Sequence, residues 1–123
     1  IGIGLAILIS VALPVVQLHT AMRDVIYEMS RKKLGMTTVV EKDGRLAGII
    51  TDGDLRRHMS ANLLDLAVER IMTREPKTVR PDQLASEALE FLNASQKTQL
   101  IVADQGKPIG VVHVHDLLRA GVA

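Results

Sequence analysis

The chain has no cysteine and no tryptophan, and only one tyrosine and one phenylalanine. Without cysteine there is no disulfide, no thiol nucleophile and no thiolate for a metal. Without aromatic side chains there is no stacking platform for single-stranded nucleic acid. An excess of one charge is missing too. Fifteen basic and 14 acidic residues leave a formal net charge of +1, which is no footprint for a phosphate backbone. Catalytic signatures are also lacking. There is no Gly-x-Ser-x-Gly elbow, no P-loop and no Gly-x-Gly-x-x-Gly, and no pair of carboxylates stands out as acid and base. The residues read as a binding module with no catalytic site. Its 123 residues suffice for a compact domain whose core is built from Ile, Val, Leu, Met and Ala.

What the chain does have is a repetition at a spacing of 62 with no gap. Pro14 matches Pro76, Glu28 matches Glu90, Val40 matches Val102 and Gly44 matches Gly106. Gly48 matches Gly110, Asp54 matches Asp116, Leu55 matches Leu117 and Arg57 matches Arg119. A repeat this long is a whole folding unit rather than one turn of a solenoid. Two copies predict a pseudo-two-fold pair sharing one core, with ligand sites in the clefts between the copies.

The first 22 residues carry no Asp, Glu, Lys or Arg. The polar Gln17, His19 and Thr20, the break at Pro14 and the claim of the repeat on Pro14 onward all argue against a membrane span. Residues 1–12 are an atypical apolar lead-in, residues 13–59 the first repeat, 60–75 a connector and 76–121 the second repeat.

Each repeat predicts strand, helix, strand, strand, helix, an α+β pattern. In the first, Thr20 caps a helix running to about Lys33, with Met22, Val25, Ile26 and Met29 on one face. Arg31, Lys32 and Lys33 suit its C-terminal dipole, and Gly35 ends it. Residues 36–40 and 46–50 are strands joined by a Lys42-Asp43-Gly44-Arg45 turn. A helix follows from Thr51 to about His58. In the second, Asp82 caps a helix, 99–103 and 109–112 are strands, and a helix covers 116–120. The connector is read as a helix from about Leu64 to Ile71.

Gly48-Ile-Ile-Thr51-Asp-Gly-Asp54-Leu is the most informative local motif. A strand runs straight into a helix whose free N–H groups suit phosphate. Asp54, three residues on, is placed to accept from two neighbouring hydroxyls, as on a ribose. Thr-x-x-Asp is also close to a capping box, which needs no ligand. In the second copy His113, a poor cap, replaces the Thr while Asp116 persists, which argues for more than capping. His113-x-His115 reads either as a metal pair or as polar side chains at a strand end. With no Cys and only two other His, no metal is expected. The methionines Met22, Met29 and Met36 read as core.

These motifs resemble the CBS domain, and two units in tandem resemble a CBS pair, or Bateman module, over residues 14–121. More narrowly, Thr51-Asp-Gly-Asp-Leu-Arg-Arg57 and Gly110-Val-Val-His-Val-His-Asp-Leu-Leu-Arg-Ala-Gly121 are similar to the C-terminal half of arabinose 5-phosphate isomerases, enzymes that feed Kdo and lipopolysaccharide synthesis. The resemblance implies a cytoplasmic regulatory module parted from its N-terminal sugar isomerase domain. It implies no required cofactor, an adenine nucleotide or CMP-sugar as regulatory ligand, and homodimerisation through the CBS pairs. It further implies that Asp54 holds ribose hydroxyls and Thr51 a phosphate, with Asp116, His113 and His115 on the other side. Met36-Thr37-Thr38 and Thr98-Gln99-Leu100 would line the base pocket. Two other readings stay open: a structural module that binds nothing, and the CBS module of a membrane transporter.

Overall fold

The computed structural model describes Gly4 and residues 13–121. They fall into two compact units that part between Pro76 and Lys77. Each unit is α+β and holds an apolar core of its own.

In the first unit, strand β1 (Val15–Gln17) leads to helix α1 (Met22–Lys32), strands β2 (Met36–Val40) and β3 (Leu46–Thr51), helix α2 (Asp52–Arg57) and strand β4 (Thr73–Arg74). The sheet order is β1-β2-β3-β4, with β1 parallel to β2 and the other pairs antiparallel. Met22, Val25 and Met29 share one face of α1 and are buried against Val16, Val39, Ile50, Val68 and Ile71. Thr20 does not cap α1. Its hydroxyl donates to the Gln17 carbonyl at 2.6 Å, and Ala21 takes the cap position with no side-chain bond. Lys33, at φ 60°, makes the left-handed turn that ends the helix, two residues before the expected Gly35.

The connector is not a helix. It is two 3₁₀ turns, Leu63–Asp65 and Val68–Arg70. Between them the backbone is committed elsewhere. Met22 N–H donates to Leu66 O and Val68 N–H to Thr20 O, both at 2.8 Å, and Ala67 bridges Ala21. A continuous helix would withdraw those groups into its own ladder. The connector thus belongs to the first unit and supplies Leu63, Val68, Ile71 and Met72 to its core.

The second unit repeats the order: β5 (Thr78–Val79), α3 (Ala85–Ser95), β6 (Gln99–Asp104), β7 (Lys107–His113) and α4 (Val114–Arg119), with sheet order β5-β6-β7. Val79, Ala88, Leu92, Leu100, Val102, Val112 and Leu117 form its core. Asp82 does not cap α3. It pairs with Arg80, and Leu84 stands at the cap, its N–H donating to Glu87 at 3.1 Å.

The repeat is not gapless. The helices start at Met22 and Ala85 and end in left-handed Lys33 and Gln96, both 63 apart. Core Val39 is matched by Val102, again 63 apart. Beyond the hairpins the spacing is 62: the strands end at Thr51 and His113, and α2 and α4 begin at Asp52 and Val114. The lost residue lies in the turn. Glu41 N–H donates to Arg45 O around three residues, whereas Asp104 pairs with Lys107 around two. The matches Pro14/Pro76, Glu28/Glu90 and Val40/Val102 are therefore coincidences of composition.

No helix among the described residues is long and apolar enough to cross a membrane. The readings of residues 1–12 lie outside the described residues, except that Gly4 bridges Leu84.

Candidate functional site

Each hairpin delivers its second strand directly into a short helix, and the carboxylate expected to bind stands one turn in. Met36, at the start of β2, pairs with Thr51 at the end of β3. Thr51 caps α2. Its hydroxyl accepts from the Asp54 N–H at 3.2 Å, and Asp54 Oδ2 accepts in return from the Thr51 N–H at 2.9 Å and hydroxyl at 3.1 Å. This is a complete capping box. Asp54 Oδ1 then accepts from the Arg57 guanidinium and, at 3.0 Å, from the Thr73 hydroxyl on β4. All four acceptor positions of this carboxylate are filled from within the unit, and its side chain is only 3% exposed. Burial pushes the Asp54 carboxyl up. The bonds from the Thr51 N–H, Arg57, Thr73 and the Thr51 hydroxyl outweigh it and hold the group below its ordinary value.

The second unit builds the same corner with fewer donors. Gln99 pairs with His113 across β6 and β7. Asp116 Oδ2 accepts from the His113 N–H at 3.0 Å, and Oδ1 from the Arg119 guanidinium. His113 does cap, contrary to expectation. Its Nδ1 accepts from the His115 N–H at 3.1 Å, and the two rings stack with centroids 4.7 Å apart. The persistence of Asp116 is therefore no argument against capping. Its side chain is 28% exposed. Helices α2 and α4 have six residues each, so their dipoles are slight and the phosphate role expected of Thr51 has little field behind it. Among the described residues no group of three or more His, Cys, Asp or Glu could hold a metal ion.

Thr37 and Thr38 are fully buried, and their hydroxyls are already used. Thr37 donates to Thr38 O at 3.2 Å, and Thr38 to Pro14 O at 2.7 Å. The spacing of 63 on this side of the hairpin changes their partners. Met36-Thr37-Thr38 corresponds to Gln99-Leu100-Ile101, not to Thr98-Gln99-Leu100. Thr98 corresponds to Gly35, and each gives its carbonyl to the first N–H of the short helix, at 2.7 Å from Val114 and 3.1 Å from Asp52. Sequence reasoning missed two members of the first cluster. Arg57 was visible as a repeated residue three positions after Asp54. Thr73 had no local signal, because it arrives from β4.

The CBS domain family model matches residues 8–61 and 68–123. The arabinose 5-phosphate isomerase KdsD of Pseudomonas aeruginosa is 44% identical over 113 residues, 89% of this chain and 35% of that protein. The KdsD of Escherichia coli K12 is 42% identical over 112 residues, again 89% of this chain and 34% of that protein. The chain thus spans about a third of the length of these curated relatives. Among solved structures, CBSX2 in complex with AMP superposes with a TM-score of 0.83 at 25% identity, covering 98% of this chain and 96% of that one. The CBS domain pair of protein MJ0100, in complex with 5′-methylthioadenosine and S-adenosyl-L-methionine, gives 0.84 at 19% identity, covering 98% and 97%.

Proposed function

The chain belongs to the CBS domain family, with two of its units in tandem, and on that premise we propose that it is the nucleotide-binding regulatory part of a longer arabinose 5-phosphate isomerase. The observation that carries this reading is the corner found in both units. An antiparallel hairpin ends at a carboxylate that faces its own strand end, at Thr51/Asp54 and at His113/Asp116. A carboxylate so fixed needs no ordering before it accepts from the hydroxyls of a ribose, directly at Asp116 and by exchange for the Thr51 or Thr73 hydroxyl at Asp54. The 44% identity to an isomerase of about three times the matched length supports a parent enzyme whose sugar isomerase domain lies outside this chain. The fold shared with AMP-bound CBSX2 supports an adenine nucleotide as ligand. A CMP-sugar is the other candidate, since a product of the pathway would make a sensible regulator. In this reading the parent works in the cytoplasm and the CBS pairs associate as dimers.

Thermal unfolding of the chain with AMP, ADP, ATP, CMP, CTP and CMP-Kdo tests the proposal. A ligand bound only by the folded state raises the midpoint as its concentration rises. A rise with one nucleotide class is expected. No shift with any of them at millimolar concentration rejects the reading. It would favour a structural module that binds nothing, for which the fully occupied Asp54 is the specific argument.

A further inference from the structure

His19 meets Glu69 twice, once through its backbone and once through its ring. It stands between β1 and α1 at φ 72°, in the left-handed region. Its N–H donates to Glu69 Oε1 at 2.8 Å, and its Nδ1 lies 2.5 Å from Glu69 Oε2. Glu69 belongs to the second 3₁₀ turn of the connector. Its side chain is 21% exposed, whereas the imidazole is 82% exposed and open to solvent protons. The contact stands beside the backbone bridge that ties the connector to this turn. There Met22 N–H donates to Leu66 O, Val68 N–H donates to Thr20 O, and Ala21 pairs with Ala67. On the other flank of the bridge Arg23 pairs with Asp65 at 2.5 Å. Each pair sets a base near the start of α1 against an acid of the connector. Only the histidine is a base that changes charge near neutral pH.

We propose that His19 and Glu69 form a pH-sensitive latch that fastens the connector to the turn between β1 and α1. An imidazole is a cation below about pH 6.5 and neutral above it. In mildly acid solution the latch therefore joins two opposite charges, and in alkaline solution it keeps a hydrogen bond at most. Burial pushes the Glu69 carboxyl up, but the bonds from its own N–H and from His19 outweigh it and hold the group below its ordinary value. The carboxylate thus stays charged throughout the imidazole range. The latch is fullest in mildly acid solution and weakens as pH rises through that range. It is lost again at low pH, where Glu69 takes a proton. The other charged groups on the neighbouring elements are Arg23 and Asp24 on α1 and Asp65 and Arg70 on the connector, and β1 has none. Arg23 and Asp65 hold each other, and the exposed Asp24 and Arg70 bond to neither partner of the latch. The connector continues through buried Ile71 and Met72 into β4, so an opening at Glu69 begins a short stretch of chain from the Thr73 clamp.

Amide hydrogen exchange of the chain, with each rate divided by the intrinsic rate at its pH, tests the latch. The reporters are the Met22 and Val68 amides, which close the bridge, referred to the amides of β2. In the wild type their protection should fall about threefold between about pH 5.5 and pH 8, the size expected of an ion pair with one partner in solvent. His19→Asn removes the titrating ring and keeps a residue that tolerates the left-handed region. Glu69→Gln removes the charge and keeps an acceptor for the His19 N–H. Both should be less protected than the wild type at the acid end and should show no trend with pH. Arg23→Gln breaks the neighbouring pair, whose charges are constant over this range. It should lower protection equally at both ends and keep the wild-type trend. His19→Asn decides alone if Glu69→Gln does not fold. A flat wild-type profile, or a trend of unchanged size in either latch variant, overturns the inference.

Discussion

The Thr73 hydroxyl donates to Asp54 Oδ1 at 3.0 Å across 19 positions of sequence. This one bond turns a local cap into a tertiary clamp, because Thr73 lies on β4 and Asp54 on α2. Thr73→Val keeps the shape and removes the donor. Asp54 is then left with an open acceptor in a buried place. Unfolding free energy should fall by about 1.5 kcal/mol, the lower end for a hydrogen bond to a charged group, since Thr73 itself is exposed. Thr73→Ser should retain most of it. Urea denaturation of the three proteins decides, and equal midpoints for Thr73→Val and the wild type would show that the clamp contributes nothing.

The same carboxylate sets the acid limb of stability. Its pKa is lower in the folded than in the unfolded chain, because its four donors outweigh burial. Near and below the ordinary carboxylate value of about 3.9 the unfolded chain holds the extra proton. The contribution of Asp54 is therefore complete above that value and is lost as pH falls through the folded pKa. Glu69 adds in the same direction. Burial raises its carboxyl, while its own N–H and the N–H and imidazole of His19 lower it further. Asp54→Asn should be less stable at pH 7 and should lose less of its remaining stability between about pH 5 and pH 2. Parallel acid limbs for the two proteins would move the linkage to other carboxylates.

How much of this was legible beforehand follows from how local each signal is. Strand, helix and hairpin order could be read, because Met22/Val25/Met29 repeats at helical spacing and Gly44 and Gly106 mark turns. The one-residue difference between the copies could not. Identities after the turn, from Gly44/Gly106 to Arg57/Arg119, are real and fix a spacing of 62, and in so aliphatic a chain chance matches before the turn agreed with it. The helix ends and the buried face separate them. The core face of α3 is Ala85, Ala88 and Leu92, each 63 after its partner on α1. The corner residues Thr51, Asp54, His113 and Asp116 were found because their bonds span three residues. Thr73 and the connector's 3₁₀ turns were missed because pairing with distant backbone decides them.

Gly48 is where β4 comes closest. A Cβ there would meet Thr73 O at 2.6 Å and Met72 Sδ at 2.8 Å. The sulfur sits on a flexible side chain and can move, whereas the carbonyl cannot move without shifting the strand. Gly48 pairs with both Val39 and Arg74, so the crowding falls in the middle of the sheet. Gly48→Ala should destabilise the unit by about 1–3 kcal/mol, the usual cost of overpacking. It should also free the amides of residues 72–75 to exchange faster with solvent while those of β2 stay protected. Uniform loss of protection would place the damage elsewhere.

The second hairpin turns on two residues with positive φ, Gln105 at 53° and Gly106 at 80°, between paired Asp104 and Lys107. Positive φ at both central positions is the type I′ turn, which favours Asn-Gly because Asn tolerates the left-handed region and Gly carries no Cβ to strain. Gln105 has neither advantage. Gln105→Asn should therefore stabilise the chain, by about 0.5 kcal/mol, and Gly106→Ala should destabilise it by about 1 kcal/mol or more. Neither position touches Asp116, so nucleotide affinity should not change in either protein. Thermal midpoints ranking Gln105→Asn above the wild type and the wild type above Gly106→Ala would establish the two-residue turn, and with it the residue by which the second copy is shorter. A Gln105→Asn protein no more stable than the wild type would mean that the left-handed pair is not what closes this hairpin.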